Sequence, residues 1–119
     1  PPLAPPSWLF GVVWGILFVL MGISSALVFT CKDCSRMQMQ SALLVYGLQL
    51  FVNFFWSIIF FNLQSFWFAF GWILLLWGLI LWMLIRFYRV RPLAAYLQIP
   101  YFLWVTFAAY LNLAIAILN

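Results

Sequence analysis

Apolar side chains fall in four long runs along the chain, over 8–29, 39–61, 66–85 and 93–118. Crossing a bilayer takes about 20 apolar residues at 1.5 Å of rise each, and every run reaches that length. None alternates polar and apolar residues as a barrel strand does. Backbone amides in hydrocarbon must be satisfied within their own segment, so the runs predict four transmembrane helices. Short connections over 30–38, 62–65 and 87–92 separate them. Pro5 and Pro6 precede the first run, where proline suits the opening turn of a helix. Pro100 lies within the fourth run and predicts a kink near its start or an extended first turn.

Composition agrees with that pattern. Of 119 residues, 70% are hydrophobic and 5% charged, where a soluble domain carries about a quarter charged residues. Six charged side chains cannot dress the surface of a water-soluble fold, whereas a hydrocarbon solvent asks for none. Four spans use nearly the whole length, so residues 1–119 read as a single all-α integral membrane domain.

The six charges are Lys32, Asp33, Arg36, Arg86, Arg89 and Arg91. All lie in or beside the first and third connections, which four spans place on one side of the membrane. The second connection carries no charged side chain. Five basic residues against none predict that the Lys32 and Arg89 loops are cytoplasmic, in a bacterial cell membrane. The same clustering accounts for the net charge of +4, so a nucleic-acid partner is not expected. Trp8, Trp67, Tyr88 and Tyr96 fall near segment ends, where amphipathic rings anchor at the interface.

Candidate chemistry is sparse. The chain has no His, and Asp33 is its one acid. Paired carboxylates, catalytic triads, metal cages and a proton relay through a buried acid are therefore unavailable. No metal or cofactor is expected. Small multidrug-resistance transporters resemble this chain in length and helix number, but they depend on a glutamate in the first helix that is missing here. Cys31 and Cys34 flank Lys32 and Asp33 in a C-x-x-C without further ligands or a strand-to-helix context. On the cytoplasmic side they are expected to be reduced thiols; on the opposite side they would suit a disulfide.

Polar groups on the second helix carry more information. Tyr46, Gln49, Asn53 and Trp56 follow i, i+3, i+7, i+10 spacing, which places them on one face. An amide facing lipid is costly, so Gln49 and Asn53 should point inward. There they would bond to other helices, anchor a ligand, or do both. On the first helix Gly11, Gly15, Gly22 and Ala26 form a small-residue stripe suited to close packing, within the bundle or between protomers. Trp14 and Phe18 lie on a neighbouring face. On the last helix Tyr101, Trp104, Ala108 and Leu111 share a face. Trp14, Trp56 and Trp104 could converge on an aromatic cavity for a flat hydrophobic molecule.

These residues resemble a known family. The stretch Pro5-Pro6-Ser7-Trp8-Leu9-Phe10-Gly11-Val12-Val13-Trp14 is similar to the P-P-x-W-V-[FL]-G-P-V-W segment of the TspO/translocator proteins, also called tryptophan-rich sensory proteins or peripheral-type benzodiazepine receptors. The likeness continues through Met21-Gly22, Tyr46-Gly47-Leu48-Gln49-Leu50, Asn53-Phe54-Phe55-Trp56-Ser57 and Ile59-Phe60-Phe61. It ends on Pro92-Leu93-Ala94-Ala95 and on Pro100-Tyr101-Phe102-Leu103-Trp104, with Phe107 to Asn112 beyond. Val12 stands where the family has proline, and Trp72 stands near a position that is commonly acidic. Leu113 and Ile117 replace the Tyr and Arg of the sterol-recognition segment, so tight cholesterol binding is not expected.

The resemblance implies a five-helix bundle, usually a homodimer, of which the four runs correspond to helices two to five. It implies a pocket for porphyrins or other flat hydrophobic ligands, lined by Trp14, Phe18, Asn53, Trp56, Trp104, Ala108 and Leu111, to which Gln49 is added as a candidate ligand contact by its place on the face of Asn53. Some bacterial members degrade porphyrin in light, and the resemblance assigns that step to Trp14 and Trp104. An indole passing an electron to a photoexcited ring needs no acid or base. The expected function is thus a membrane receptor for porphyrin-type tetrapyrroles, with photochemical turnover as an extension. Transport of hydrophobic small molecules is the alternative.

Overall fold

The computed structural model describes residues 7–119. The prolines at 5 and 6, and their part in the motif and in opening the first helix, lie outside the described residues. Four helices follow one another: α1 (Ser7–Phe29), α2 (Arg36–Ser57), α3 (Phe66–Val90) and α4 (Pro92–Leu118). A π-helical turn, Ile58–Asn62, prolongs α2 so that the continuous span runs Arg36–Asn62. Among the described residues there is no strand, and all four helices are long and apolar enough to cross a membrane. The bundle is elongated, 51 × 25 × 18 Å.

α3 packs against both α2 and α4, α1 leans mainly on α4, and α1 touches α2 only lightly. The core is the inner stripe of each helix. Leu17, Met21 and Val28 come from α1, Val45 and Val52 from α2, Ile73, Leu76, Ile80 and Met83 from α3, and Val105 and Ala109 from α4. Phe18, Val19, Leu44, Phe54, Leu75 and Leu103 remain outside, each about half exposed or more. In water so much open apolar surface would drive association; in lipid it is the expected exterior.

The helix ends show where hydropathy is a poor guide. α3 continues past Ile85 through Arg86 and Arg89 to Val90. A helix does not stop at its first charge, because long arginine stems reach back to the interface and a cation suits the C-terminal turn. The third connection therefore shrinks to Arg91, whose extended backbone (φ −158°, ψ 111°) is the conformation that a following proline imposes. Pro92 then opens α4 at its first turn. α2 likewise starts at Arg36, where the Ser35 hydroxyl accepts from the Gln38 amide at 3.4 Å. Pro100 is an interior residue of a continuous α4, neither in an extended first turn nor at the helix start. The tight connection after α2 uses Gln64 at φ 52°, the left-handed region.

Both basic connections lie at one end of the bundle. Cys34 Sγ, before α2, is 3.2 Å from the Val90 carbonyl at the end of α3. Arg91 donates to the Leu27 carbonyl on α1 at 3.3 Å. The Gly11, Gly15 and Gly22 stripe faces away from the bundle, and a Cβ added at any of these would meet nothing within 4 Å. Close packing inside the chain is thus not what the stripe serves.

Candidate functional site

The polar face of α2 is buried, and its amides and indole are tied to α4. Gln49 and Asn53 lie in the interior with Trp56, one to two turns apart. The partner of both amides is Tyr101, which is 1% exposed. The Asn53 amide donates to the Tyr101 hydroxyl at 2.6 Å, and that hydroxyl donates to Gln49 Oε1 at 2.6 Å. Farther along, the Trp56 indole donates to Asn112 Oδ1 at 3.0 Å, and the Asn112 amide donates to the Phe66 carbonyl at 2.9 Å. α2 and α4 are not close neighbours along their backbones. Long polar side chains therefore bridge the bundle interior, where each bond is worth about 0.6–2 kcal/mol.

Two amides in this region are incompletely matched. Gln49 Nε2 and both amide atoms of Gln98 are buried without a hydrogen-bond partner among the described residues. Gln98 lies three residues before Tyr101, on the same inner face of α4. An unpaired buried amide costs about 1–3 kcal/mol, and most such groups pair with protein, water or ligand. The interior thus holds two unmatched donor groups and an acceptor. Trp14 stands against Tyr101 in an aromatic wall, with its ring 6.2 Å from Tyr101 and 5.5 Å from Phe18. Phe18 itself is 54% exposed.

Trp104 is placed differently. It meets Phe10 at 5.7 Å and Phe107 at 5.5 Å. With Val13, Ile16, Leu17, Pro100 and Leu103 it lines an apolar groove of about 480 Å³ along the α1–α4 seam. That volume is within the range of small-molecule sites, about 300–1,000 Å³. Trp14 and Trp104 thus face opposite sides of the seam, and among the described residues no ring contact joins them. Trp56 stacks on Phe60 at 5.1 Å, beyond the Tyr101 cluster. Ala108 and Leu111 are half-buried on α4. The structure brings Trp14, Gln49 and Asn53 together around Tyr101, and leaves Trp104 and Trp56 outside that cluster.

Gln98 and Asn112 escape a reading of the sequence alone, although each is an amide within an apolar run, the same signal that marks Gln49 and Asn53. The cysteines also differ from the expected free thiols. Cys31 and Cys34 are joined as a disulfide, with Cα atoms 5.7 Å apart. The turn between α1 and α2 brings them to a separation that a disulfide spans. Among the described residues no group of His, Cys, Asp and Glu could hold a metal ion.

Four membrane-length helices joined by buried amides and indoles define an integral membrane helix bundle. The TspO/MBR family profile matches residues 1–118. The chain is 39% identical to the tryptophan-rich protein TspO of Chlorobaculum tepidum over 119 residues, all of this chain and 75% of that one. It is 36% identical to protein CrtK of Rhodobacter capsulatus, again over its full length and 74% of the relative. To the translocator protein of Homo sapiens it is 35% identical over 112 residues, 94% of this chain and 66% of that one. The chain belongs to the TspO/MBR family.

Replacing an unmatched amide by an apolar isostere should cost nothing in the ligand-free bundle. Gln98→Leu is expected to unfold at the same or a higher denaturant concentration than the wild type, measured in detergent by circular dichroism. A loss above about 1 kcal/mol would show that the amide is already satisfied.

Proposed function

We propose that this protein is a membrane receptor that binds porphyrin-type tetrapyrroles or other flat hydrophobic ligands between its helices. The supporting observation is the unmatched buried amide nitrogen of Gln49, whose oxygen is bonded to Tyr101, with the Trp14 ring against that tyrosine. Ligand sites of this kind are apolar and aromatic, with a few polar groups that fix orientation. A flat conjugated ring offers faces for the indole, while its polar substituents would engage the free amide atoms. Trp104 lines the separate α1–α4 groove, which offers a second apolar surface to a hydrophobic ligand.

Protoporphyrin titrated into the detergent-solubilised protein should quench tryptophan emission saturably. Asn53→Ala and Trp14→Ala should each weaken binding by about tenfold, equivalent to about 1.4 kcal/mol. Unchanged affinity in both folded variants would contradict the assignment.

We propose in addition that the Lys32 and Arg89 loops face the cytoplasm of a bacterial cell. The disulfide in the first loop favours an oxidising compartment, and the charge distribution favours the opposite. Five basic side chains at one end against none at the other is the stronger determinant, since it acts during insertion. After mild reduction, a membrane-impermeant maleimide should label Cys31 and Cys34 in inverted vesicles and leave them unlabelled in intact cells. Labelling in intact cells would reverse the topology.

A further inference from the structure

The seam between the end of α3 and the start of α4 carries a second groove, with lining residues distinct from those of the α1–α4 groove and unused by the proposed receptor site. It measures about 290 Å³ and is lined by Ile85, Tyr88 and Arg89 of α3 and by Ala95, Tyr96 and Ile99 of α4. Its walls are apolar and open to the surrounding lipid, with Ile85 47% and Ile99 41% exposed. Its mouth is different. Tyr88 and Tyr96 meet edge to face at 6.2 Å, and both phenols are half exposed at the basic end of the bundle. Tyrosines in that position mark the headgroup level of the bilayer.

Three arginines lie at this end of α3 and the turn that follows it, and one of them belongs to the groove. Arg91 donates to the Leu27 carbonyl, and Arg86 lies over the Trp82 ring at 5.9 Å. Arg89 is exposed and lines the groove. The chain's one acid, Asp33, leaves this end strongly positive. A guanidinium presents a planar fork suited to two phosphate oxygens. An apolar slot running into the membrane beneath a guanidinium, with phenols at headgroup depth, matches a phospholipid in both its parts. Basic clefts between transmembrane helices hold anionic headgroups by this logic.

We propose that the α3–α4 groove is a binding site for one anionic phospholipid, its acyl chain against Ile85, Ala95 and Ile99 and its phosphate on Arg89. The basic end of the bundle excludes no lipid, so zwitterionic phosphatidylcholine will also visit the slot. Net negative charge at the headgroup adds attraction to the neighbouring Arg86 and Arg91 that a compensating choline cancels. The tyrosine pair then fixes the depth of the headgroup.

Native mass spectrometry of the whole chain, released from detergent, tests this with palmitoyl-oleoyl phosphatidylglycerol against the matched phosphatidylcholine. Phosphatidylglycerol should be retained about tenfold better, a difference of about 1.4 kcal/mol. Arg89→Gln should bring its retention down to that of phosphatidylcholine. Arg36→Gln, at the same end but outside the groove, should retain the preference. Ile99→Trp, which fills the slot, should lower binding of both lipids; if that variant does not fold, Arg89→Gln alone carries the test. Equal retention of the two lipids, an unaltered preference in Arg89→Gln, or an equal loss in Arg36→Gln would each overturn the site.

Discussion

Hydrocarbon offers no hydrogen bonds, and the interior of this bundle is organised by that fact. The Asn53 amide, the Tyr101 hydroxyl and Gln49 Oε1 form a continuous chain from α2 to α4. Trp56, Asn112 and the Phe66 carbonyl form a second, extending to the start of α3. In water such bonds exchange with solvent and contribute little. Here the alternative is an unpaired polar group in lipid, so the partners are driven to find one another across the bundle. Apolar packing gives no such direction, because lipid tails are as apolar as leucine.

The helix arrangement follows from where these bonds fall. α3 serves as the common neighbour of α2 and α4 and carries further indole ties to both. Trp72 donates to the Val52 carbonyl at 2.8 Å, and Trp77 donates to the Thr106 hydroxyl at 2.8 Å. α1 is held more simply, by the Ser24 hydroxyl on the Ala94 carbonyl at 2.6 Å and by packing on α4. α1 is therefore the most lightly packed helix, and it carries Trp14 and Phe18. Polar ties thus join α2, α3 and α4 to one another, while α1 adds an aromatic surface against α4.

Much of this is legible in the residues. Apolar run length alone locates four helices, because only a helix satisfies its own backbone in lipid. The cost of burying an amide points Gln49 and Asn53 inward, where they lie. Their partners are harder to see. Tyr101 is 48 residues from Asn53, and the hydrogen bond between them joins two helices that are not consecutive in the chain. No local periodicity encodes which face of α4 meets which face of α2. Trp14 and Trp104 illustrate the same gap. Each lies on an inner portion of its helix, yet the rotation of α1 on α4 sends them to opposite sides of the seam. Helix ends are misplaced where arginine follows an apolar run, since charge ends hydropathy without ending a helix. The Cys31–Cys34 disulfide eludes composition because the spacing allows both free thiols and a bridge.

The central claim is that Tyr101 couples α2 to α4 through hydrogen bonds that lipid makes worth forming. A double-mutant cycle between Asn53→Ala and Tyr101→Phe, read from unfolding free energies in a mixed detergent titration, tests it most directly. A coupling energy of about 0.6–2 kcal/mol is predicted. Strictly additive losses, with no coupling between the two sites, would contradict it.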